Sequence, residues 1–231
     1  MRRIDAPEIL DSDACPPEEV QAALKTIGQI NRWFGGVATT GQMIVRVAHA
    51  TRSRRFSLLD VAAGSGEQLD IVRQNAAREG ITLDTTLLDF SHSHLPRGNH
   101  SVVGDALRLP FSDDSFDLVS CNLFAHHLNP AQLQAFLRES LRVCRHALLI
   151  NDLVRHPLHL ALVYASFVIM RSRIAWLDGL TSVRRAYLPE EMRDAISAAF
   201  QPAPRSEILR HYLYRMGVIV WKVPRANSGQ G

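Results

Sequence analysis

The chain has 231 residues, enough for one domain with a full hydrophobic core. Its 26 Lys and Arg residues outnumber its 23 Asp and Glu residues by only three, so the charge gives no indication of nucleic-acid binding. Cys15, Cys121 and Cys144 are widely spaced, which provides neither a disulfide framework nor a zinc site. The first residues lack the apolar segment of a signal peptide, so we expect a cytoplasmic protein. A bound metal is not expected.

Two helices are predicted before the first strand. Apolar residues recur every three or four positions from Val20 to Ile30, which predicts an amphipathic helix that stops at the pair Gly35-Gly36. A second helix is expected to follow, capped by Thr39 or Thr40.

Short apolar runs then alternate with helical patterns. Strands are predicted at 56–61, 83–88, 101–103, 116–120 and 147–150. Alternation of this kind predicts a parallel sheet with right-handed crossovers. Ligands of such sheets bind outside the carboxyl ends of the strands.

A glycine turn follows the first of these strands. Gly64 and Gly66 allow a tight turn and a close approach of a ligand, although many α/β proteins make such turns for packing alone. Asp89 ends the next strand, 23 residues after Gly66 (89 − 66), near the offset of about 20 at which a carboxylate reaches a ribose hydroxyl. The two features together favour a nucleotide-like ligand.

These residues belong to a larger pattern. The run 60–66 reads Asp-Val-Ala-Ala-Gly-Ser-Gly, and 104–111 reads Gly-Asp-Ala-Leu-Arg-Leu-Pro-Phe. With Asp89 between them, they resemble the motifs of class I S-adenosylmethionine-dependent methyltransferases over about residues 56–150. Ala62 stands where the family has its first glycine, as in the ubiquinone/menaquinone-biosynthesis branch. The resemblance implies a Rossmann-like α/β fold with a seven-stranded sheet, mostly parallel with a C-terminal antiparallel hairpin, and S-adenosylmethionine as the cofactor.

The resemblance also implies which residues bind the cofactor. Asp60, Ala62, Gly64, Gly66 and Asn122 are expected at its methionine half, Asp89 with Phe90 at the ribose, and Asp105 with Ala106 at the adenine. Turn capping remains the alternative role for Asp105.

Two helical additions to a single domain of residues 1–231 are expected. Residues 14–50 are expected to form a lid over the site or to cover one face of the sheet, and the aromatic pair Trp33 and Phe34 favours the lid. Residues 153–204 are expected to form an inserted cap, with a turn at Asp178-Gly179. The apolar run 158–170 within it has three interpretations: a core helix, the lining of a hydrophobic substrate pocket, or a contact with a membrane surface or a second copy. Membrane contact is the least favoured of these, and the protein is expected to be a monomer or a homodimer.

The acceptor side offers several polar side chains. His126, His127 and Asp152 are the candidate catalytic residues, because each follows a strand end and each is a residue type that serves as a general base. A histidine pair at this place is often structural in the family. Trp33, Phe34, His156 and His159 are the candidate substrate contacts. A histidine on an apolar helix, as His159 is, is more often simply packed.

Three functions are carried forward. The first is O-methylation of a hydrophobic phenol, because Asn31–Gly36 and Ser182–Ala186 resemble methyltransferases of type III polyketide and phenolic-lipid pathways. The second is C-methylation of a quinone precursor, and the third is a non-catalytic cofactor-binding regulatory module. Methylation of nucleic acid is not expected, because 122–125 reads Asn-Leu-Phe-Ala instead of Asn/Asp-Pro-Pro-aromatic.

Overall fold

The computed structural model describes residues 1–11, 16–92, 94–96, 100–168, 172–211 and 214–223. Within these ranges seven strands form one sheet. The strands are β1 (Arg55–Val61), β2 (Thr82–Asp89), β3 (Ser101–Val103), β4 (Phe116–Asn122), β5 (Cys144–Leu153), β6 (Ser206–His211) and β7 (Arg215–Trp221). The helices are α1 (Pro17–Trp33), α2 (Gly36–Thr51), α3 (Glu67–Arg78), α4 (Pro130–Val143), α5 (Pro157–Ala165), α6 (Arg173–Arg185) and α7 (Pro189–Ala199).

The strand order in the sheet is β3-β2-β1-β4-β5-β7-β6. Strands β1 to β5 pair in parallel, whereas β7 pairs antiparallel with both β5 and β6. The predicted sheet with its C-terminal antiparallel hairpin is therefore confirmed. Because the first five strands run the same way, the ends of β1, β2, β4 and β5 meet at one edge of the sheet.

Helices cover both faces of the sheet. On one face α2 and α3 pack with β1 around the buried side chains of Met43, Ile44 and Phe56. On the other face α4 and α7 pack around Phe136, Leu137 and Met192. Short apolar strands sandwiched in this way need no polar face, which explains their continuous apolar sequence.

The first two helices are joined by a tight turn. Gly35 is left-handed, with φ 79°, and α2 begins directly after it at Gly36. Thr39 and Thr40 lie inside α2 and are buried, so the prediction that either caps the helix is wrong. The glycine turn reverses the chain without a side-chain cap, so α2 begins at least four residues earlier than predicted.

Long-range hydrogen bonds fix this turn to the sheet. Asn151 on β5 donates from Nδ2 to the Gly36 carbonyl at 2.7 Å and to Thr40 Oγ1 at 2.8 Å. Arg215 on β7 donates from Nη1 to Asn151 Oδ1 at 2.9 Å and from Nε to the Phe34 carbonyl at 3.2 Å. Burial lowers the pKa of Arg215 to about 10. The N-terminal helices are thus held at the end of β5.

The segment after β5 departs from expectation in two ways. Asp178 lies within α6 and is buried, so the predicted turn at Asp178-Gly179 is wrong. Its carboxylate accepts the backbone N–H groups of Ile9 and Leu10 at 2.7 and 3.0 Å. This contact fastens the N-terminal segment to α6. Because each carboxylate oxygen of Asp178 has a donor, the aspartate can be buried within the helix.

Helix α5 is the second departure. Every residue from Leu158 to Ala165 except His159 is apolar or aromatic, yet α5 has no buried residue. The interpretation of this stretch as a core helix is therefore wrong. A 3-10 turn, Ser166–Val168, follows α5, and Ile169 and Met170 lie outside the described residues. Among the helices that the structure describes, none is long and apolar enough to cross a membrane.

Candidate active site

The turn between β1 and α3 leaves an open cradle at the edge of the sheet. Ala62, Gly64 and Gly66 all have positive φ, of 56°, 55° and 74°. A Cβ atom on Gly64 would meet no protein atom within 4 Å, whereas one on Gly66 would lie 2.6 Å from Leu87 Cδ1. Gly64 therefore leaves room that a ligand can use, and Gly66 is required by the packing of the protein itself.

Asp60 lies at the end of β1, beside the cradle. Its side chain is buried, and Ser120 Oγ on β4 donates to Oδ1 at 2.5 Å. Burial raises the pKa of Asp60 to about 7, and the nearby charge of Asp89 adds to the shift. A carboxyl group with a pKa near neutrality is stabilised as an anion by any cation that binds next to it.

Two oxygen atoms of the narrow pocket that Asp60 lines lack donors among the described residues. Asn122 Oδ1, at the end of β4, and Gln68 Oε1, on α3, are buried and have no hydrogen-bond partner in the part of the chain that the structure describes. Buried acceptors without donors are costly, so two such oxygens beside the Asp60 carboxyl indicate a site for a ligand that donates hydrogen bonds.

Asp89 ends β2 on the other side of the turn. Its carboxylate accepts from the backbone N–H of Gly64 at 3.0 Å and of Ser91 at 3.1 Å, and it lies 3.2 Å from His94 Nδ1. Burial alone would raise the pKa of Asp89, but these contacts outweigh it and hold the pKa below its usual value. Asp89 is therefore a fixed anion. The side chain of Phe90 beside it is 81% exposed.

Asp105 and Ala106 follow β3 in a turn. Asp105 is exposed, and its Oδ1 accepts the Leu107 N–H at 2.8 Å. The turn-capping role that the sequence left open is thus present, and a contact with adenine stays a prediction. Ala106 packs against the core beneath this turn.

The acceptor side contains a buried ionic cluster after β4. His126 Nδ1 donates to Asp152 Oδ1 at 2.7 Å, and His126 Nε2 lies 3.4 Å from Glu8 Oε1. Burial alone would lower the pKa of His126, yet the two carboxylates raise it to about 10. Asp152 also accepts the backbone N–H of His126 and of Leu153, and its pKa is held below its usual value. Both side chains are engaged as partners of each other.

His127 differs from its neighbour. Its side chain is 25% exposed, and Nε2 lies 3.7 Å from Glu8 Oε2. The ring stacks on Phe124, with the centroids 6.4 Å apart. Of the three predicted catalytic side chains, His127 is the most accessible.

The four predicted substrate contacts lie around the end of β5. The rings of His156 and His159 stack on Tyr214, at 4.6 and 5.4 Å. His159 also contacts the Val154 carbonyl at 3.2 Å, as expected of a packed histidine. Trp33 and Phe34 are 68% and 45% exposed, at the end of α1. Their contact with a substrate stays a prediction.

Comparisons with known proteins agree on the family. Residues 59–147 match the model of a methyltransferase domain. Residues 59–147 therefore form a methyltransferase domain, and the chain has the fold of S-adenosylmethionine-dependent methyltransferases. S-adenosylmethionine is the methyl donor of such enzymes.

The individual relatives are methyltransferases of different kinds. The chain is 31% identical over 150 residues to a demethylmenaquinone methyltransferase of Renibacterium salmoninarum, a match that spans 62% of this chain and 56% of the relative. The plantazolicin methyltransferase BpumL in complex with SAH is 11% identical, with a TM-score of 0.69 over 93% of both chains. An O-methyltransferase family 2 protein of Planctomyces limnophilus in complex with apigenin is 18% identical, with a TM-score of 0.59 over 92% of this chain and 63% of the other. At these identities the two structures share the fold alone.

The oxygen atoms that line the narrow pocket suit the α-ammonium group of this cofactor. An α-ammonium group is both a cation and a triple hydrogen-bond donor, which suits the Asp60 carboxyl and the oxygens of Asn122 and Gln68. The open space at Gly64 suits backbone contact with the ligand. Gln68 and Glu8 were missed in the sequence, because neither stands in a recognised motif. The only local signal for Gln68 is its place in the first turn of the helix after the glycine turn.

Proposed function

We propose that the protein transfers a methyl group from S-adenosylmethionine to the phenolic oxygen of a hydrophobic aromatic small molecule of the polyketide or phenolic-lipid type. The observation that carries this proposal is the set of aromatic rings around the ends of β4 and β5. Phe124 stacks with His127 on one side, and Tyr214 stacks with His156 and His159 on the other. A planar aromatic acceptor gains from such rings by stacking as well as by burial.

On the donor side, the residues of the chain bind and orient. The cofactor supplies a methyl group on a positively charged sulfur. In the proposal, Asp60, Asn122 and Gln68 hold its ammonium group, and Asp89 holds the ribose hydroxyls. Fixing the two reactants in line is the main catalytic contribution that such a site makes, because positioning alone supplies up to roughly 7–11 kcal/mol in favourable cases.

On the acceptor side, a phenol must lose its proton as its oxygen attacks. We infer that His127 takes this proton. Glu8 Oε2 lies 3.7 Å from Nε2, so in this proposal its negative charge orients the ring. His126, with a pKa of about 10, is already protonated at neutral pH, and Asp152 is its counter-ion. These two residues are thus proposed to position the loop that carries His127.

The flanking helical segments complete the proposed site. Residues 14–50 would act as the lid, fastened to the end of β5 through Asn151 and Arg215. Residues 153–204 would act as the cap, with His156 and His159 facing the acceptor together with Trp33 and Phe34. Water is excluded from the reaction when both segments lie over the acceptor.

C-methylation of a quinone precursor is the second candidate. It is supported by the sequence relative named as a demethylmenaquinone methyltransferase. The chain covers little more than half of that relative, so its substrate is not transferred to this protein without a test.

The test is an acceptor panel with methyl-labelled S-adenosylmethionine. Alkylresorcinols, simple phenols and quinone precursors are incubated with the protein, and tandem mass spectrometry locates the label. Label on a phenolic oxygen is the expected result, whereas label on a ring carbon favours the second candidate. Cofactor binding without transfer to any compound would favour a regulatory module and contradict the proposal.

A further inference from the structure

Helix α5 exposes an apolar stripe along its whole length. Leu158, Ala161, Leu162 and Ala165 stand at positions i, i+3, i+4 and i+7, which lie on one side of a helix, and all four are exposed. Leu158 is 54% exposed, and Phe167 in the following 3-10 turn is 55% exposed. A helix that is apolar on every side is normally buried or in contact with lipid.

The opposite side of α5 accounts for its attachment to the protein. Val163 lies against α6, where its carbonyl accepts from Trp176 Nε1 at 2.9 Å. The rings of Tyr164 and Phe167 contact Trp176, with centroids 6.0 and 4.8 Å away. Helix α5 is therefore held firmly by one side, while its apolar stripe points away from the domain.

The charges around α5 favour an anionic partner. Asp178 is the single acidic residue of 154–185. Among the described arginines of this range, Arg173 and Arg184 reach the surface, whereas Arg155 and Arg185 are buried and bonded within the domain. Asp178 is buried and its carboxylate accepts two backbone N–H groups, whereas Arg173 is exposed at the start of α6. A second copy of this chain would bring the same basic surface against itself in a two-fold interface, and that repulsion disfavours a dimer here.

We propose that α5 and the 3-10 turn Ser166–Val168 dock on the surface of an anionic lipid bilayer. The nine residues of α5 extend about 14 Å, far less than the roughly 30 Å of the hydrocarbon core, so the helix lies in the interface. The apolar stripe enters the acyl boundary, and Arg173 and Arg184 meet the lipid phosphates.

Flotation with vesicles tests this docking without reference to methyl transfer. The full chain is mixed with vesicles of phosphatidylcholine alone or with added phosphatidylglycerol, at low and high salt. We expect binding to the anionic vesicles, weakened by salt, and little binding to the neutral ones. The double variant Leu158→Ser/Leu162→Ser should lower the partition constant about tenfold or more.

Two controls separate docking from misfolding and from self-association. Val223→Ser removes another exposed apolar side chain, next to the end of β7 that pairs with the start of β5, and should bind vesicles as the wild type does. Thermal unfolding and calorimetric binding of S-adenosylhomocysteine should be equal for all variants. Absence of binding to anionic vesicles would overturn the proposal, as would equal binding by the double variant. A dimer in analytical ultracentrifugation that the double variant abolishes would assign the stripe to a second copy instead.

Discussion

The donor and acceptor sides of the site are built in opposite ways. On the donor side, Asp60, Gly64 and Gly66 come from one short stretch, and Asp89 accepts a hydrogen bond from the backbone of that same stretch. On the acceptor side, Glu8 meets His126 across 118 residues (126 − 8), and Asn151 meets Gly36 across 115. The proposed cofactor site is therefore encoded locally, whereas the proposed acceptor site depends on contacts between distant parts of the chain.

The two sides also differ in how their polar groups are satisfied. Among the described residues, the buried oxygens of Asn122 and Gln68 in the donor pocket have no donor, and burial raises the pKa of the Asp60 carboxyl to about 7. The acceptor cluster has already paired its charges, with His126 between Asp152 and Glu8. The donor side thus offers hydrogen-bond acceptors to a ligand, while the paired charges of the acceptor side hold its loop in place.

The largest effect is expected from His127→Asn. Loss of the proposed base should lower kcat about 10²- to 10⁴-fold with a phenolic acceptor. Calorimetric binding of S-adenosylhomocysteine should not change, because His127 lies on the acceptor side. A kcat within a factor of two or so of the wild type would remove His127 from the mechanism.

The paired charges are tested by Asp152→Asn. Breaking a buried ion pair leaves His126 without its closest counter-ion, so the free energy of unfolding should fall by about 3–5 kcal/mol in a urea titration. The matched control is Asp113→Asn, which removes an exposed partner of Arg142 and should cost less than about 1 kcal/mol. An equal loss of unfolding free energy in the two variants would contradict a buried ion pair between His126 and Asp152.

The cradle is tested by Gly64→Ala with Gly80→Ala as its control. Both glycines have positive φ, 55° and 71°, and a Cβ at either would meet no protein atom within 4 Å. The strain of a side chain in the left-handed region, about 1–2 kcal/mol, should therefore lower the stability of both variants alike. Only Gly64→Ala should weaken cofactor binding, by about tenfold or more in calorimetry. Equal affinities would show that no ligand lies against Gly64.

The next prediction concerns Asp60 and the dependence of stability on pH. Its folded pKa, about 7, is raised above the usual 3.8, so between these values the folded state binds more protons than the unfolded state. The free energy of unfolding should consequently fall as pH rises through this range.

Asp60→Asn removes this dependence. Without cofactor, the variant should be more stable than the wild type above pH 7 or so, and the difference should disappear below about pH 4. Asp70→Asn, an exposed carboxylate on α3, serves as the control, and urea titrations across the range are the measurement. A wild-type stability that rises relative to the variant as pH increases would mean that Asp60 is stabilised as an anion in the free protein.

The same contrast explains what the sequence could predict. The strands, their parallel direction and the glycine turn after β1 follow from contiguous apolar runs and glycine spacing, and these were predicted correctly. The start of α2 was predicted wrongly, since the turn at Gly35 is fixed by Asn151 and Arg215 far along the chain. The exposure of α5 could not be predicted, because an apolar helix looks the same in sequence whether it is buried or not. Gln68 was missed because its role depends on which oxygens lack donors after folding.

The most direct test uses calorimetry to compare the affinity for S-adenosylhomocysteine with the affinity for 5′-methylthioadenosine, which lacks the amino-acid end. The Asp60 carboxyl and the two oxygens of Asn122 and Gln68 around one pocket predict that S-adenosylhomocysteine binds at least about tenfold more tightly. Gln68→Leu should reduce that preference and leave the affinity for 5′-methylthioadenosine unchanged. Equal affinity of the wild type for the two compounds, or no binding of S-adenosylhomocysteine, would contradict the assignment of this pocket to the methyl donor.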